Sequence, residues 1–211
     1  MKCKFIQTKS KIAAQYQCLN ENEVLYTAEI PVNFRGLKAQ VLRNSKVIYR
    51  INFDKIDSLK KMKKDRLIEK IIPYNIYDIN NNLVGSISLR RTKFFNGYMY
   101  YELILNDVKY IMYEIGLGKE GIKVPIYKDD TQVALIEKDP VVYDNKDTYE
   151  IIAIDEKSLE VSTLFNLYYD FIRFGNYGEI NYKTKKSYYL YTTKKELKSK
   201  YDSNFKMMYM G

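Results

Sequence analysis

Apolar and polar residues alternate in short runs along most of the chain. Residues 24–30, 39–43, 47–53, 98–105 and 149–154 are rich in β-branched and aromatic side chains, and many follow the two-residue period of a strand with one buried face. Polar turn signals lie between these runs: Asn20-Glu21-Asn22, Asn80-Asn81-Asn82, Asn96-Gly97, Asn106-Asp107, Asp129-Asp130 and Asp144-Asn145. Short strands at nearly regular spacing predict an antiparallel barrel or sandwich rather than parallel βαβ units.

A weak internal repeat refines this. Tyr16 followed by a polar turn, Val24 and Ile30 has the same outline as Tyr77, Val84 and Ile87, and as Tyr127, Val133 and Ile136. Each copy reads as a strand ending in an aromatic, a polar turn, and a strand opening on Val and a small residue, which is a hairpin unit used three times.

Three stretches depart from the strand period. Ile56, Leu59, Met62 and Leu67 have near-helical spacing, and Asp54 or Asp57 can cap a basic helix that spans about 55–70 and ends before Pro73. A second helix is expected over 158–174, stopped by Gly175. Its apolar residues surround the axis instead of forming one stripe, so it should be enclosed on nearly every side. A barrel wound round it would achieve that. The third stretch begins with a capping-box pattern at Thr193 and Glu196, and Leu197, Tyr201, Phe205 and Met208 then predict one basic amphipathic helix docked on the barrel. The fold expected is mainly β: a closed antiparallel barrel around a central hydrophobic helix within residues 1–175, with extra basic helices and a basic extension over 176–211.

Charge sharpens the division. The chain has 35 Lys+Arg and 26 Asp+Glu, a formal excess of +9. Residues 55–70 carry +4 of it and residues 176–211 carry +5, so the rest of the chain is neutral. The basic surface expected from this comprises Lys60, Lys61, Lys63 and Lys64 in the first segment, and Lys185, Lys186, Lys194 and Lys195 in the second.

There is no histidine in the sequence. Ser-His-Asp triads, Cys-His pairs and histidine proton relays need an imidazole titrating near neutral pH, so these mechanisms are excluded. Cys3 and Cys18 lack the paired spacing of a structural zinc site, and they read as two reduced thiols. No metal, cofactor or catalytic residue is indicated. Gly116, Gly118 and Gly121 form a glycine-rich stretch between strands that opens no helix, so it reads as a connecting loop and not as a phosphate cradle. The basic start leads into Ser10, Lys11 and Gln15 rather than an apolar h-region, and uncharged windows are too short for a membrane helix. The expectation is a cytoplasmic protein with at most peripheral membrane contact.

Hairpins of the form Tyr, Asp/Asn turn, Val, Gly/Ala, followed by one hydrophobic helix near the end, resemble the tubby C-terminal-like superfamily. That group includes tubby proteins, phospholipid scramblases and LURP-one-related proteins. The strongest stretch is 76–98, with Tyr77, Asp78, Val84, Gly85, Ile87, Arg90, Arg91 and Lys93. The resemblance implies a barrel of about a dozen strands around a central helix. It also implies an anion site at Arg90, Arg91 and Lys93, where guanidinium forks and an ammonium would meet phosphate oxygens. The basic run is shorter than in tubby, and the membrane-inserting segment and acylated cysteine cluster of scramblases are absent.

The functional expectation is a non-enzymatic binding module for an anionic phospholipid surface or a protein partner. Two alternatives stay open. One is nucleic-acid binding through the basic, Tyr-rich segment around Tyr188, Tyr189 and Tyr191, where rings could stack on bases while lysines meet phosphates. The other is a purely structural or interaction role.

Overall fold

A computed structural model describes residues 1–10, 13–31, 38–52, 73–92, 96–174 and 185–209. Thirteen strands form one antiparallel sheet, in which β9 (Val108–Met112) pairs with β11 (Ile122–Lys128) and closes it into a barrel of twelve, leaving β10 (Ile115–Gly116) beside β11. Around the barrel the order follows the chain: β1 (Lys2–Lys9), β2 (Ala13–Asn20), β3 (Glu23–Pro31), β4 (Lys38–Arg43), β5 (Lys46–Asn52), β6 (Tyr74–Tyr77), β7 (Leu83–Arg91), β8 (Met99–Leu105), β9, β11, β12 (Thr131–Lys138) and β14 (Thr148–Ala153). β14 then pairs with β1. Apart from the closing β14–β1 pair, and with the short β10 and β13 set aside, neighbours round the barrel are also neighbours along the chain, the simplest up-and-down connection.

The three expected hairpins are β2–β3, β6–β7 and β11–β12, and a fourth, β4–β5, has the same construction. In all four the register shifts just before the turn, so the second strand carries one extra residue: Leu25, Ile48, Val84 and Val133. The sequence alignment of copies needs one correction. Leu19, not Tyr16, occupies the place of Tyr77 and Tyr127, because Leu19, Tyr77 and Tyr127 are the residues that follow the shift. The turns use residues that tolerate positive φ, such as Asn44-Ser45 and Asn106-Asp107.

Alternation places Cys3, Phe5, Tyr16, Cys18, Tyr26, Ile87, Leu103 and Ile151 on the inner face. A twelve-stranded barrel is too wide for such side chains alone to fill, and a helix is about the right thickness to occupy the remainder. α1 (Glu156–Arg173) does so: every residue from 161 to 170 is buried, almost three full turns with no solvent-facing side. It starts two residues earlier than expected, because Asp155 is the cap and its carboxylate accepts from the Ser158 N–H at 2.7 Å. Ser162 and Thr163 are accommodated in this apolar setting by donating to the carbonyls of Ser158 and Leu159. The basic helix expected over 55–70 lies outside the described residues.

The C-terminal segment crosses the outside of the barrel as a strap. β15 (Lys185–Ser187) pairs with β13 (Val141–Tyr143), and residues 190–192 run beside the glycine-rich loop: Gly118 N–H donates to Leu190 O, Thr192 N–H to Gly116 O, and Gly116 N–H to Thr192 Oγ1. This contact explains the glycines. A Cβ on Gly116 would sit 2.3 Å from Leu190 O, and Gly118, at φ +66°, lies under the Tyr191 ring.

Beyond the strap the expectation of one amphipathic helix is corrected. The chain forms two short pieces, α2 (Lys195–Lys198) and α3 (Asn204–Tyr209). Thr193 is not the cap; Lys194 occupies that position without a side-chain hydrogen bond. The break has a local cause, since Asp202 Oδ1 accepts from the Asn204 N–H and forms a turn in place of helix. Phe205 docks on the barrel as expected, whereas Met208 is exposed.

Gly116→Ala should lift the strap locally, because the opposing atom is backbone and cannot rotate away. A loss of about 1–3 kcal/mol is expected. Limited trypsin digestion should cut within 194–200 faster than in the wild type while the barrel fragment persists.

Candidate binding surface

The interior of a wide barrel can hold a ligand. Here it is instead occupied by α1, which is tied to the wall on several sides. Glu160 accepts from the Tyr49 hydroxyl of β5 at 2.9 Å. At the other end, Glu114 accepts from the Tyr169 hydroxyl at 2.9 Å and from Arg173 at 2.9 and 3.0 Å. Tyr168 packs edge-on against Tyr74 and Tyr101. An apolar crevice between α1 and β3–β6, lined by Ile30, Ala39, Ile51 and Tyr74, holds only about 10 Å³, no more than about one water requires.

The most unusual group inside is Asp170, which has no solvent exposure. Its two carboxylate oxygens accept from Tyr16 (2.6 Å) on β2 and Tyr149 (2.5 Å) on β14, the two strands that flank β1. Next to this cluster, Lys138 and Asp147 form a fully buried ion pair, and the Lys138 ammonium lies over the Tyr149 and Phe174 rings. Burial, reinforced by the negative charge of Asp147, pushes Asp170 up to about 7, while the two tyrosine donors and Lys138 pull the other way. Its hydrogen bonds tie α1 to two strands of the wall, so the cluster fastens the helix in place. The single carboxylate among residues 161–170 was its visible sign in the sequence.

Cys3 and Cys18 are separated in sequence but come together because β1 and β2 form a hairpin. Both are buried and free, and their thiols hydrogen-bond each other. The bond lowers Cys3 and, with burial, raises Cys18.

The expected anion-binding residues fall as follows. Arg90 and Arg91 are consecutive on β7, so they project to opposite faces of the sheet. Arg90 is paired with Glu102 at 3.1 Å, and Arg91 is exposed at the strand end. Lys93, and with it Lys60, Lys61, Lys63 and Lys64, lies outside the described residues. Lys185 and Lys186 are exposed on β15, with Lys185 over the Tyr143 ring. Lys194 reaches the carbonyls of Asn96 and Gly97 at 2.5 and 2.6 Å, fastening the strap, and Lys195 is exposed beside it.

The strap lysines have company that composition alone concealed. Tyrosine is abundant, yet among the described residues the exposed aromatics are Tyr143 (60%), Tyr188 (41%), Tyr189 (49%), Tyr191 (67%) and Tyr209 (41%). All but Tyr143 belong to the C-terminal segment, and Tyr143 is the β13 partner of Lys185. The result is a band of tyrosine rings and lysines on β13, β15 and the residues that follow. Comparison with family models, curated proteins and solved structures finds no match to this chain.

The Asp170 geometry gives a pH test. A carboxyl whose folded value lies above its unfolded one holds its proton more tightly when folded, so wild-type stability should fall as pH rises from about 4 to about 7. Asp170→Asn removes that dependence. Denaturant titrations should show the variant gaining on the wild type by a few kcal/mol across this window, with no further gain above it.

Proposed function

We propose that this chain is a non-enzymatic binding module of the tubby-like kind, cytoplasmic and peripheral, that docks on anionic phospholipid surface. The observation that carries the reading is the band of exposed tyrosines interleaved with lysines. Tyrosine places an apolar ring and a polar tip at a membrane–water boundary, and lysine keeps its stem on apolar surface while its ammonium faces lipid phosphate. Each lysine near an anionic bilayer contributes about 1 kcal/mol, so Lys185, Lys186 and Lys195 together would supply reversible attachment. The absence of histidine supports binding over catalysis. No helix among the described residues is long and apolar enough to cross a membrane, which agrees with a surface role.

The same rings and lysines suit single-stranded nucleic acid, where bases would stack on Tyr189 and Tyr191. One experiment separates the readings: flotation with phosphatidylserine-containing and pure phosphatidylcholine vesicles at rising salt, alongside a mobility shift with a single-stranded oligonucleotide. The chain should float with the anionic vesicles alone and be released by salt. Lys185→Glu with Lys186→Glu should abolish flotation, and Tyr189→Ala with Tyr191→Ala should weaken it several-fold. Equal, negligible flotation with both vesicles would sink the lipid reading, and an oligonucleotide shift alone would assign the band to nucleic acid.

A further inference from the structure

The outer face of β12 and β14 carries two directly opposed pairs where the strands meet. Leu135 faces Ile152, and one step along Glu137 faces Glu150. Both pairs need an explanation. Leu135 and Ile152 point away from the lumen yet are fully buried, and two carboxylates opposite one another on neighbouring strands repel.

α3 answers both with two adjacent residues. Phe205, 2% exposed, packs on Leu135 and Ile152, with Tyr201 beside it. The Lys206 ammonium bridges Glu137 and Glu150, lying 2.8 Å from Glu150. Lys123 and Lys2 complete the charge balance, at 2.6 Å from Glu137 and 2.7 Å from Glu150. Lys2 and Lys206 hold Glu150 down at about 2 against the effect of burial.

We infer that this face is a docking site for a segment of a partner protein carrying a large aromatic residue followed by lysine, and that Phe205-Lys206 fills it in cis. The match is two-part: an apolar pair receives the ring, and an acidic pair one step away receives the ammonium. The occupant is weakly held. α3 has six residues, too few for a helix to be stable by itself, and Phe205 is its only buried side chain. The strap contacts at 190–194 do not involve it, so α3 can lift while the strap stays in place. A groove of about 380 Å³ also starts at the acidic pair and continues past it, lined by Lys4, Glu120, Asp139 and Thr148, with room for the partner chain beyond the lysine. The site is separate from the tyrosine–lysine band and does not rest on the lipid reading.

The test uses the full chain and a fluorescent peptide with the sequence of residues 199–209, read by anisotropy. The Phe205→Ala/Lys206→Ala chain, its site vacated, should bind the peptide saturably. Wild type should bind it about tenfold or more weakly, since the competent fraction is reduced by the cis occupant. A peptide with both residues changed to alanine should not bind, and raising salt should weaken binding of the unchanged peptide. If the double variant does not fold by circular dichroism, Lys206→Glu places a third carboxylate beside the acidic pair and vacates the site instead, with the same expectations. No saturable binding to a folded vacated chain would overturn the proposal. So would equal binding of the two peptides, or equal binding to vacated and wild-type chains.

Discussion

The structure depends on one constraint: a twelve-stranded barrel cannot fill its lumen with its own side chains, and a helix hydrophobic on all sides cannot remain in water. Each solves the other's problem. The wall supplies inward side chains on a two-residue period, and α1 supplies an apolar surface all round its axis. A smooth apolar contact would leave the helix free to rotate or slide. Polar anchors remove that freedom. Asp170 is held between Tyr16 and Tyr149, Glu160 by Tyr49, and Tyr169 with Arg173 by Glu114. Burying Asp170 carries a desolvation cost, and what it supplies in return is a fixed rotation and depth of the helix.

Filling the lumen leaves the outer surface to the docking we propose. In smaller or empty barrels the interior can hold a ligand, whereas here the stretch around residues 161–170 is packed with helix. The C-terminal segment then defines the outer surface. Its basic excess is not all available: Lys194 is used on two loop carbonyls and Lys206 on the Glu137–Glu150 pair. Lys185 and Lys195 stay on the surface among exposed tyrosines. A formal count of charges therefore overstates how basic the proposed binding face is, and the arrangement of the rings matters as much.

The barrel and its central helix were legible because both have strong periodic signals: alternation in the strands, and apolar residues at every angle around 158–174. Turns were legible because Asn and Asp tolerate positive φ. What escaped reading depended on contacts distant in sequence. The β4–β5 hairpin lacks the tyrosine that marked the other copies. The glycines at 116 and 118 make sense only once the strap is laid over them. The break between α2 and α3 is set by the Asp202 turn, which competes with an otherwise good amphipathic spacing. The socket under Phe205 was hidden for the same reason, since Leu135–Ile152 and Glu137–Glu150 become pairs only when β12 and β14 align. Arg90, Arg91 and Lys93 look like one cluster in sequence, but the strand turns its two arginines to opposite faces.

Native-state hydrogen exchange tests the mutual dependence of helix and wall most directly. The slowest amides of residues 161–170 should exchange only through global unfolding, with the same opening free energy and denaturant dependence as the slowest amides of β2 and β14. Exchange of the helix through a lower-energy opening, while those strands remain protected, would show that the barrel stands without its core helix and would contradict the account.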